Sequence, residues 1–330
     1  MHIFLINDGS GNGKKVNMSL SVNNLSKSYG DKVVLENLSF EIHEPGVYAL
    51  LGTNGAGKTT SLRIILGMLA KNSGEVLWKG KPLDPVGTNV GYLAEERGLY
   101  PKYSLLDQLL YFAKLRNVPK QTAMDRIKYW SDRLAVNEYV FPPKTKGRKS
   151  SKSNRADQLS KGNQQKIQLM AALLSDPELL ILDEPLSGLD PVNTDLFKSI
   201  IREEIGKNKY LIMSSHQMPT IEEFCSDITI LNRGKAVLQG NLNEIKKSYG
   251  RVNLFVKSDV DIAPYISSLG LRIAAKTPSE YHLKVKDENQ AMEFLTKLIG
   301  DQIPIVKFEL REPSLHEIFI EKVGDANEEK

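Results

Sequence analysis

The sequence predicts an α/β domain followed by a smaller α+β domain. Three stretches predict it. In "ALLGTNGAGKTTSLRIILGMLA", Ala49 to Ala70, a short apolar run breaks into glycines, a lysine and two threonines, then turns amphipathic. In "LLILDEPLSGLD", Leu179 to Asp190, four consecutive apolar residues end in a pair of acids. Beyond Leu242 the pattern reads strand, helix, strand, strand, helix, strand, the order of a split βαβ layout.

The first strand and helix set the chemistry. Val47 to Leu51 reads as a buried strand, and Leu62, Ile65, Leu66 and Leu69 fall at i, i+3, i+4 and i+7, one face of a helix. Between them, Gly52, four residues and Gly57-Lys58-Thr59 match G-x-x-x-x-G-K-[ST] in the strand-to-helix context that gives the motif meaning. Free backbone N–H groups and the helix dipole favour an anion there. The loop Gly52, Thr53, Asn54, Gly55, Ala56, Gly57, Lys58, Thr59 and Thr60 is therefore expected to cradle a phosphate chain. Lys58 would act as a point charge on the β- and γ-phosphates, and the Thr59 hydroxyl would ligate Mg²⁺. A near match upstream, "DGSGNGKKVN", has Asp8 where the first glycine belongs and Lys15 where the hydroxyl belongs. Residues 1–17 thus read as a flexible leader, and Met18 opens a segment that looks like a domain start.

Composition narrows the class. A chain of 330 residues has room for about two domains, and 41% hydrophobic with 25% charged residues is the balance of a soluble globular protein. No run approaches the ~18 apolar residues of a spanning helix. The opening "MHIFLIN" lacks a basic start and a small-residue cleavage site, so it does not fit a secretory signal. The single Cys225 excludes an intrachain disulfide and suits the cytosol, and the five histidines lack metal-ligand spacing. A net charge of +4 is too mild to argue for nucleic acid. Within the loop 143–157, however, Lys144, Lys146, Arg148, Lys149, Lys152 and Arg155 form a basic run. It reads either as a solvated loop or as a contact for anionic lipid headgroups.

The second strand brings acids. Asp183 and Glu184 fall at the carboxyl end of an apolar run, where open α/β sheets place ligands. Asp183 is positioned to hold Mg²⁺ or a water on it, and Glu184 to polarise an attacking water as general base. Just upstream, "LSKGNQQKIQLMAALLSDP" predicts a helix capped by Ser160, with Gly162 permitting close backbone approach and Ile167, Met170, Ala171 and Leu174 on its apolar face. A third strand, "YLIMSSH", ends in His216 at the same sheet edge, placed to hydrogen-bond a γ-phosphate.

Together these stretches resemble an ATP-binding cassette (ABC) protein, the nucleotide-binding subunit of an ABC transporter, over roughly Leu20 to Leu242. The resemblance makes Gly52 to Thr60 the Walker A loop and Leu179 to Glu184 the Walker B strand. It makes Leu159 to Asn163 the signature, Ser187 to Asp190 the D-loop and His216 the switch histidine. Tyr29 matches the aromatic that stacks on adenine. The implied P-loop ATPase cassette spans 18–244, with a mixed sheet core and a helical subdomain at about 95–175. ATP and Mg²⁺ are the implied cofactors. The implied assembly is a head-to-tail dimer, of like or unlike cassettes, in which Walker residues of one subunit and Ser160 and Gly162 of the other hold each ATP. The implied partner is a multi-span membrane permease, met near Arg97 to Tyr103, which would keep the chain peripheral on the cytoplasmic side of the cell membrane.

Two departures carry information. The family signature Leu-Ser-Gly-Gly-Gln is here Leu159-Ser160-Lys161-Gly162-Asn163, which keeps the serine and the second glycine. The Q-loop glutamine aligns with Glu95, whose carboxylate can ligate Mg²⁺ or accept from water but cannot donate. ATP turnover with altered Mg²⁺ dependence is expected.

The tail, 245–330, reads as strand Val252 to Val256, helix Ile262 to Leu269, strand Leu271 to Ala275, strand Tyr281 to Val285, helix Asn289 to Leu298 and strand Ile303 to Glu309. A closing helix follows from "EPSLHEIFIEKVG". This ferredoxin-like layout carries no catalytic cluster, so a regulatory or dimer-stabilising role is expected. The tail is similar to that of cassettes serving drug, antibiotic-peptide and sodium exporters with separately encoded permeases. The expected function is an ATPase subunit driving export. The alternative is a soluble cassette ATPase of translation or DNA maintenance. Such relatives typically carry two cassettes or a long coiled coil, and neither pattern is present. A plain P-loop kinase would leave the signature and His216 unexplained.

Overall fold

The computed structural model describes residues 19–96, 98–143 and 153–328. The expected leader, Arg97 and residues 144–152 of the basic run lie outside the described residues. By contact density the chain divides into two compact units, 1–217 with 224–239, and 218–223 with 240–330.

In the first unit, β1 (Leu20–Tyr29) and β2 (Lys32–Ile42) pair antiparallel, burying Leu20, Val22 and Leu25 against Leu35, Leu38 and Phe40. With β3 as Gly46–Gly52, β4 as Ser73–Trp78 and β5 as Lys81–Pro82, this antiparallel sheet has the order β2-β1-β4-β5. The second sheet takes β3 with β6 (Val90–Leu93), β7 (Leu179–Asp183), β8 (Tyr210–Ser215), β9 (Asp227–Asn232) and β10 (Lys235–Asn241), in the order β10-β9-β3-β8-β7-β6. β3 runs parallel to β8 and β9, and β7 parallel to β6 and β8. Strands covered on both faces need continuous apolar runs, which is why Leu50, Ile181 and Ile212 are fully buried. The register sets Leu51 beside Ser215 and Asp183 beside Ser214, so β3, β7 and β8 end at one edge.

Helix α1 (Lys58–Ile65) leaves that edge after the glycine-rich loop. It stops a turn sooner than its apolar spacing predicts, with Leu66 as C-cap and Gly67 at φ +65°, while Leu69 still packs against the core. The helices α2 (Leu105–Leu115), α3 (Lys120–Arg133), α4 (Asn137–Val140) and α5 (Lys161–Leu173) follow β6. Ser160 caps α5, its hydroxyl accepting from the Asn163 N–H. The apolar face of α5 is wider than predicted. Leu169, Ala172 and Leu173 are buried along with Ile167 and Met170, whereas Ala171 is only half-buried, because the helix packs on more than one side. Arg155, last of the basic run, pairs with Asp157 at 3.2 Å. Helix α6 (Pro191–Gly206) precedes β8, and α7 (Met218–Phe224) follows it.

In the second unit, α8 (Leu242–Tyr249) leads into β11 (Asn253–Ser258), α9 (Ala263–Ser268), β12 (Arg272–Lys276), β13 (Tyr281–Lys284), α10 (Glu288–Gly300), β14 (Ile305–Arg311) and α11 (Leu315–Glu328). The sheet order β12-β13-β11-β14 with every pair antiparallel is the ferredoxin-like arrangement read from the sequence, with ends moved by no more than two residues. Leu254, Val256 and Leu283 of the sheet meet Phe294 and Leu298 of α10 in its core. Burying a side chain such as Phe294 contributes about 2 kcal/mol.

Candidate nucleotide-binding site

The loop between β3 and α1 is shaped by close approaches that only glycine allows. A Cβ on Gly52 would lie 2.5 Å from the Leu231 carbonyl oxygen. Gly57, at φ +109°, would place one 2.9 Å from the Val34 oxygen. The β9–β10 hairpin braces this loop, since the Gly234 N–H donates to the Ala56 carbonyl at 3.0 Å.

Lys58 is 6% exposed, and its ammonium donates to the Gly52 and Thr53 carbonyls at 2.9 and 3.3 Å. It also lies 3.3 Å from Glu184 Oε1. That oxygen has no aligned hydrogen-bond donor among the described residues, so the pairing is coulombic. Glu184 leaves β7 at φ +49°, a left-handed conformation that is strained for a non-glycine residue. Its N–H donates to Ser214 Oγ at 2.9 Å, and His216 Nδ1 meets its Oε2 at 2.9 Å.

Asp183 is fully buried. Its Oδ1 accepts from Ser214 Oγ at 2.6 Å and from Thr59 Oγ1 at 3.2 Å, while Oδ2 has no partner among the described residues. Burial holds this carboxyl above the usual range, the Ser214 and Thr59 hydroxyls oppose the rise, and the Glu184 charge adds to it. Glu95 is held above the usual range by partial burial in the cleft and then by the Asp183 and Glu184 carboxylates.

A cleft of about 470 Å³ joins Asn54, Gly55, Gly57, Lys58, Thr59 and Thr60 to Glu95 and Glu184. Lys32, Val33, Val34 and Arg233 complete its lining, and none of these four was anticipated. The Arg233-Gly234 pair is visible in the sequence as a hairpin turn, but only the Gly234–Ala56 bond brings that hairpin to the loop. Gly52, Thr53, Ala56, Asp183 and His216 belong to the same loop and strand ends without lining the cleft, and Tyr29, Ser160, Gly162 and Asp190 do not line it either. Tyr29 is 52% exposed, with the Lys27 ammonium 4.8 Å from its ring centroid. Ser160 caps α5 and Asp190 caps α6, the latter accepting from the Asn193 N–H at 2.9 Å. A Cβ on Gly162 would meet Asn193 Nδ2 at 3.5 Å and Leu189 at 3.7 Å, ordinary contacts, so this chain's own packing leaves room for one.

The donor set fits Mg²⁺. The Thr59 hydroxyl and the buried, unpartnered Asp183 Oδ2 are hard oxygen ligands beside a phosphate loop. Among the described residues no group of three or more His, Cys, Asp or Glu forms a metal cage. Few protein ligands plus substrate phosphates is the arrangement Mg²⁺ takes.

Comparison with known proteins agrees with this geometry. The profile of the ABC transporter family matches residues 35–187, and that of the ATP-binding protein DrrA1-3-like C-terminal domain matches 240–323. The uncharacterized ABC transporter ATP-binding protein YhaQ of Bacillus subtilis is 42% identical, over 92% of this chain and 98% of that protein. The Nod factor export ATP-binding protein I of Sinorhizobium fredii is 32% identical, over 71% of this chain and 66% of that one. Among solved structures, an ATP-binding subunit of an ABC transporter superposes with a TM-score of 0.62 at 27% identity, covering 70% of this chain and 93% of that chain. A nucleotide-free cassette from an ABC transporter shares the fold, with a TM-score of 0.57 at 18% identity over 69% of this chain and 94% of that one. Among the described residues no helix is long and apolar enough to cross a membrane. With cassette and C-terminal domain both matched, and 42% identity to such a subunit over 92% of its own length, the chain belongs to the ATP-binding proteins of ABC transporters, a family of nucleotide-binding ATPases.

Proposed function

We propose that this ABC ATPase subunit binds ATP with Mg²⁺ in the cleft between the phosphate loop and the ends of β7 and β8, and powers export through a separately encoded multi-span permease. The observation that carries the reading is the convergence of Lys58, Thr59, Asp183, Glu184 and His216 at one sheet edge. Thr59 and Asp183 Oδ2 would hold Mg²⁺, which when bound offsets the negative charge of the phosphates. An entering triphosphate competes with Glu184 for the Lys58 ammonium, which frees that carboxylate to take the proton of an attacking water. His216, 2.9 Å from Oε2, keeps the carboxylate aimed. Tyr29 would stack on the base, while Ser160, Gly162 and Asp190 would act across a head-to-tail dimer. For the domains we propose a cassette at 18–244 and an accessory domain at 245–330.

Export is supported by the Nod factor export relative. The transporter relatives give no support to the alternative in translation or DNA maintenance. We place the chain peripherally, on the cytoplasmic side of the cell membrane, through its permease. The test is gentle detergent extraction of the tagged chain from its host, with ATPase assays. A multi-span protein should copurify, and Glu184→Gln should reduce hydrolysis at least about 100-fold, the range for a lost general base. Copurification of ribosomal or DNA-associated proteins alone would remove the transport assignment.

A further inference from the structure

Two buried polar atoms without a hydrogen-bond partner among the described residues belong to neighbouring strands of the first unit: the Tyr92 hydroxyl on β6 and Asp183 Oδ2 on β7. The strands run parallel with Tyr92 beside Ile181, so those two side chains share a face of the sheet, and Asp183, two residues on, returns to that face. Tyr92 and Ile181 belong to one apolar cluster with Leu62 and Ile65, which makes it the face that α1 covers. Diagonal neighbours on adjacent strands are within reach of an aromatic side chain. The electrostatics agree with this placement. Burial holds the Tyr92 hydroxyl above its usual range, and the Asp183 carboxylate adds to the rise. The Arg63 guanidinium on α1 opposes the rise at both Tyr92 and Asp183, so it faces both.

The two unmet atoms are complementary. A phenol has a proton to give, and an ionised carboxylate oxygen has only lone pairs. Arg63 cannot take that proton, because a guanidinium donates only. The hydroxyl and Oδ2 do not bond directly, but a water that accepts from Tyr92 and donates to Oδ2 satisfies both, and two or more such polar groups are what holds a buried water. The bonds from Ser214 and Thr59 reach only Oδ1, so the chain's direct contacts leave the other side of the carboxylate unsupported.

We propose that Tyr92 is a positioning residue for the Mg²⁺ site, its hydroxyl holding Asp183 Oδ2 through a buried water. The bridge uses one lone pair of Oδ2 and leaves another to face the metal. Groups that orient a metal ligand weigh on affinity as the ligands do. The inference rests on the proposed role of Asp183 in holding Mg²⁺.

The test is ATP binding by the full chain, with Mg²⁺ and in excess chelator, in a Glu184→Gln background that does not consume the nucleotide. Tyr92→Phe removes the hydroxyl and keeps the ring in the core. The strengthening of ATP binding by Mg²⁺ should fall about tenfold, the lower end for a lost orienting contact, while affinity in chelator changes less than about twofold. With Glu184 restored, the Mg²⁺ concentration that half-saturates hydrolysis should rise by a similar factor. Ile181→Val trims the same face of the core but keeps the hydroxyl, and should leave the Mg²⁺ titration in place. Strengthening by Mg²⁺ in the parent Glu184→Gln chain is the control for the underlying reading, and its absence would sink that reading instead. With the control positive, the role of Tyr92 is overturned if Tyr92→Phe keeps the full strengthening, weakens binding equally with and without Mg²⁺, or is matched by Ile181→Val.

Discussion

Glu95 stands where the family's glutamine is expected, and its carboxyl is held above the usual range by partial burial and by Asp183 and Glu184. A group destabilised in its charged form resists a further anion nearby, so it should weaken nucleotide binding most when Mg²⁺ is absent. Glu95→Gln should tighten ATP binding in excess chelator by about threefold, as expected for one charge removed at intermediate dielectric. It should also move the Mg²⁺ concentration that half-saturates hydrolysis. An unchanged Mg²⁺ titration would remove support for a direct role. At this scale the sequence was most legible, because the phosphate loop, the paired acids and His216 each sit inside one contiguous strand-to-loop pattern. The Lys58–Glu184 pairing and the approach of Arg233 were not legible, since they arise from packing between segments far apart in the chain.

The α11 terminus shows how one element's stability depends on its cap. Ser314 and Glu317 form an S-x-x-E box, the Glu317 N–H donating to Ser314 Oγ at 3.3 Å and the Ser314 N–H to Glu317 Oε2 at 2.9 Å. Glu317 also accepts from Lys284 Nζ at 2.7 Å and from Asn253 Nδ2 at 2.9 Å. Burial alone would raise this carboxyl, but the bonds from Lys284 and Ser314 outweigh it and bring it down to about 2 from an ordinary 4.5. A carboxyl depressed in the fold stabilises above its unfolded value, and that contribution is lost as pH falls from about 4.5 towards 2. Its size at neutral pH is at most about 3 kcal/mol, and Glu317→Gln, which keeps an acceptor, should lose roughly half of it. Amide hydrogen exchange in β11 and β13 should therefore be faster in the variant at pH 7 and nearly equal to the parent at pH 3. A difference that persists at pH 3 would assign the effect to packing instead. The order of the tail elements was readable because each follows a local pattern. The wider buried face of α5 was not, since contacts on more than one side override a single amphipathic stripe.

At the scale of the whole molecule, several residues depend on contacts that no local pattern reveals. The grouping of residues 218–223 with the second unit has no sequence signal, because it arises between segments far apart in the chain, Glu222 and Leu315 among them, 93 residues apart. The start of α5 is similar, since among the described residues nothing requires glycine at Gly162, and a Cβ would make only ordinary contacts at 3.5 and 3.7 Å. If that glycine exists for close approach to a nucleotide held by a second copy, a larger residue should spare the monomer and harm the pair. We expect Gly162→Val to leave thermal unfolding of the nucleotide-free chain within about 1 kcal/mol, apart from the modest helix-propensity change. In a Glu184→Gln background with ATP and Mg²⁺, light scattering should show a dimer for the parent and a monomer for the double variant, while ATP affinity of the isolated chain stays the same. An undiminished dimer would place the nucleotide contact elsewhere on α5. A monomer that unfolds early would return Gly162 to a purely internal role.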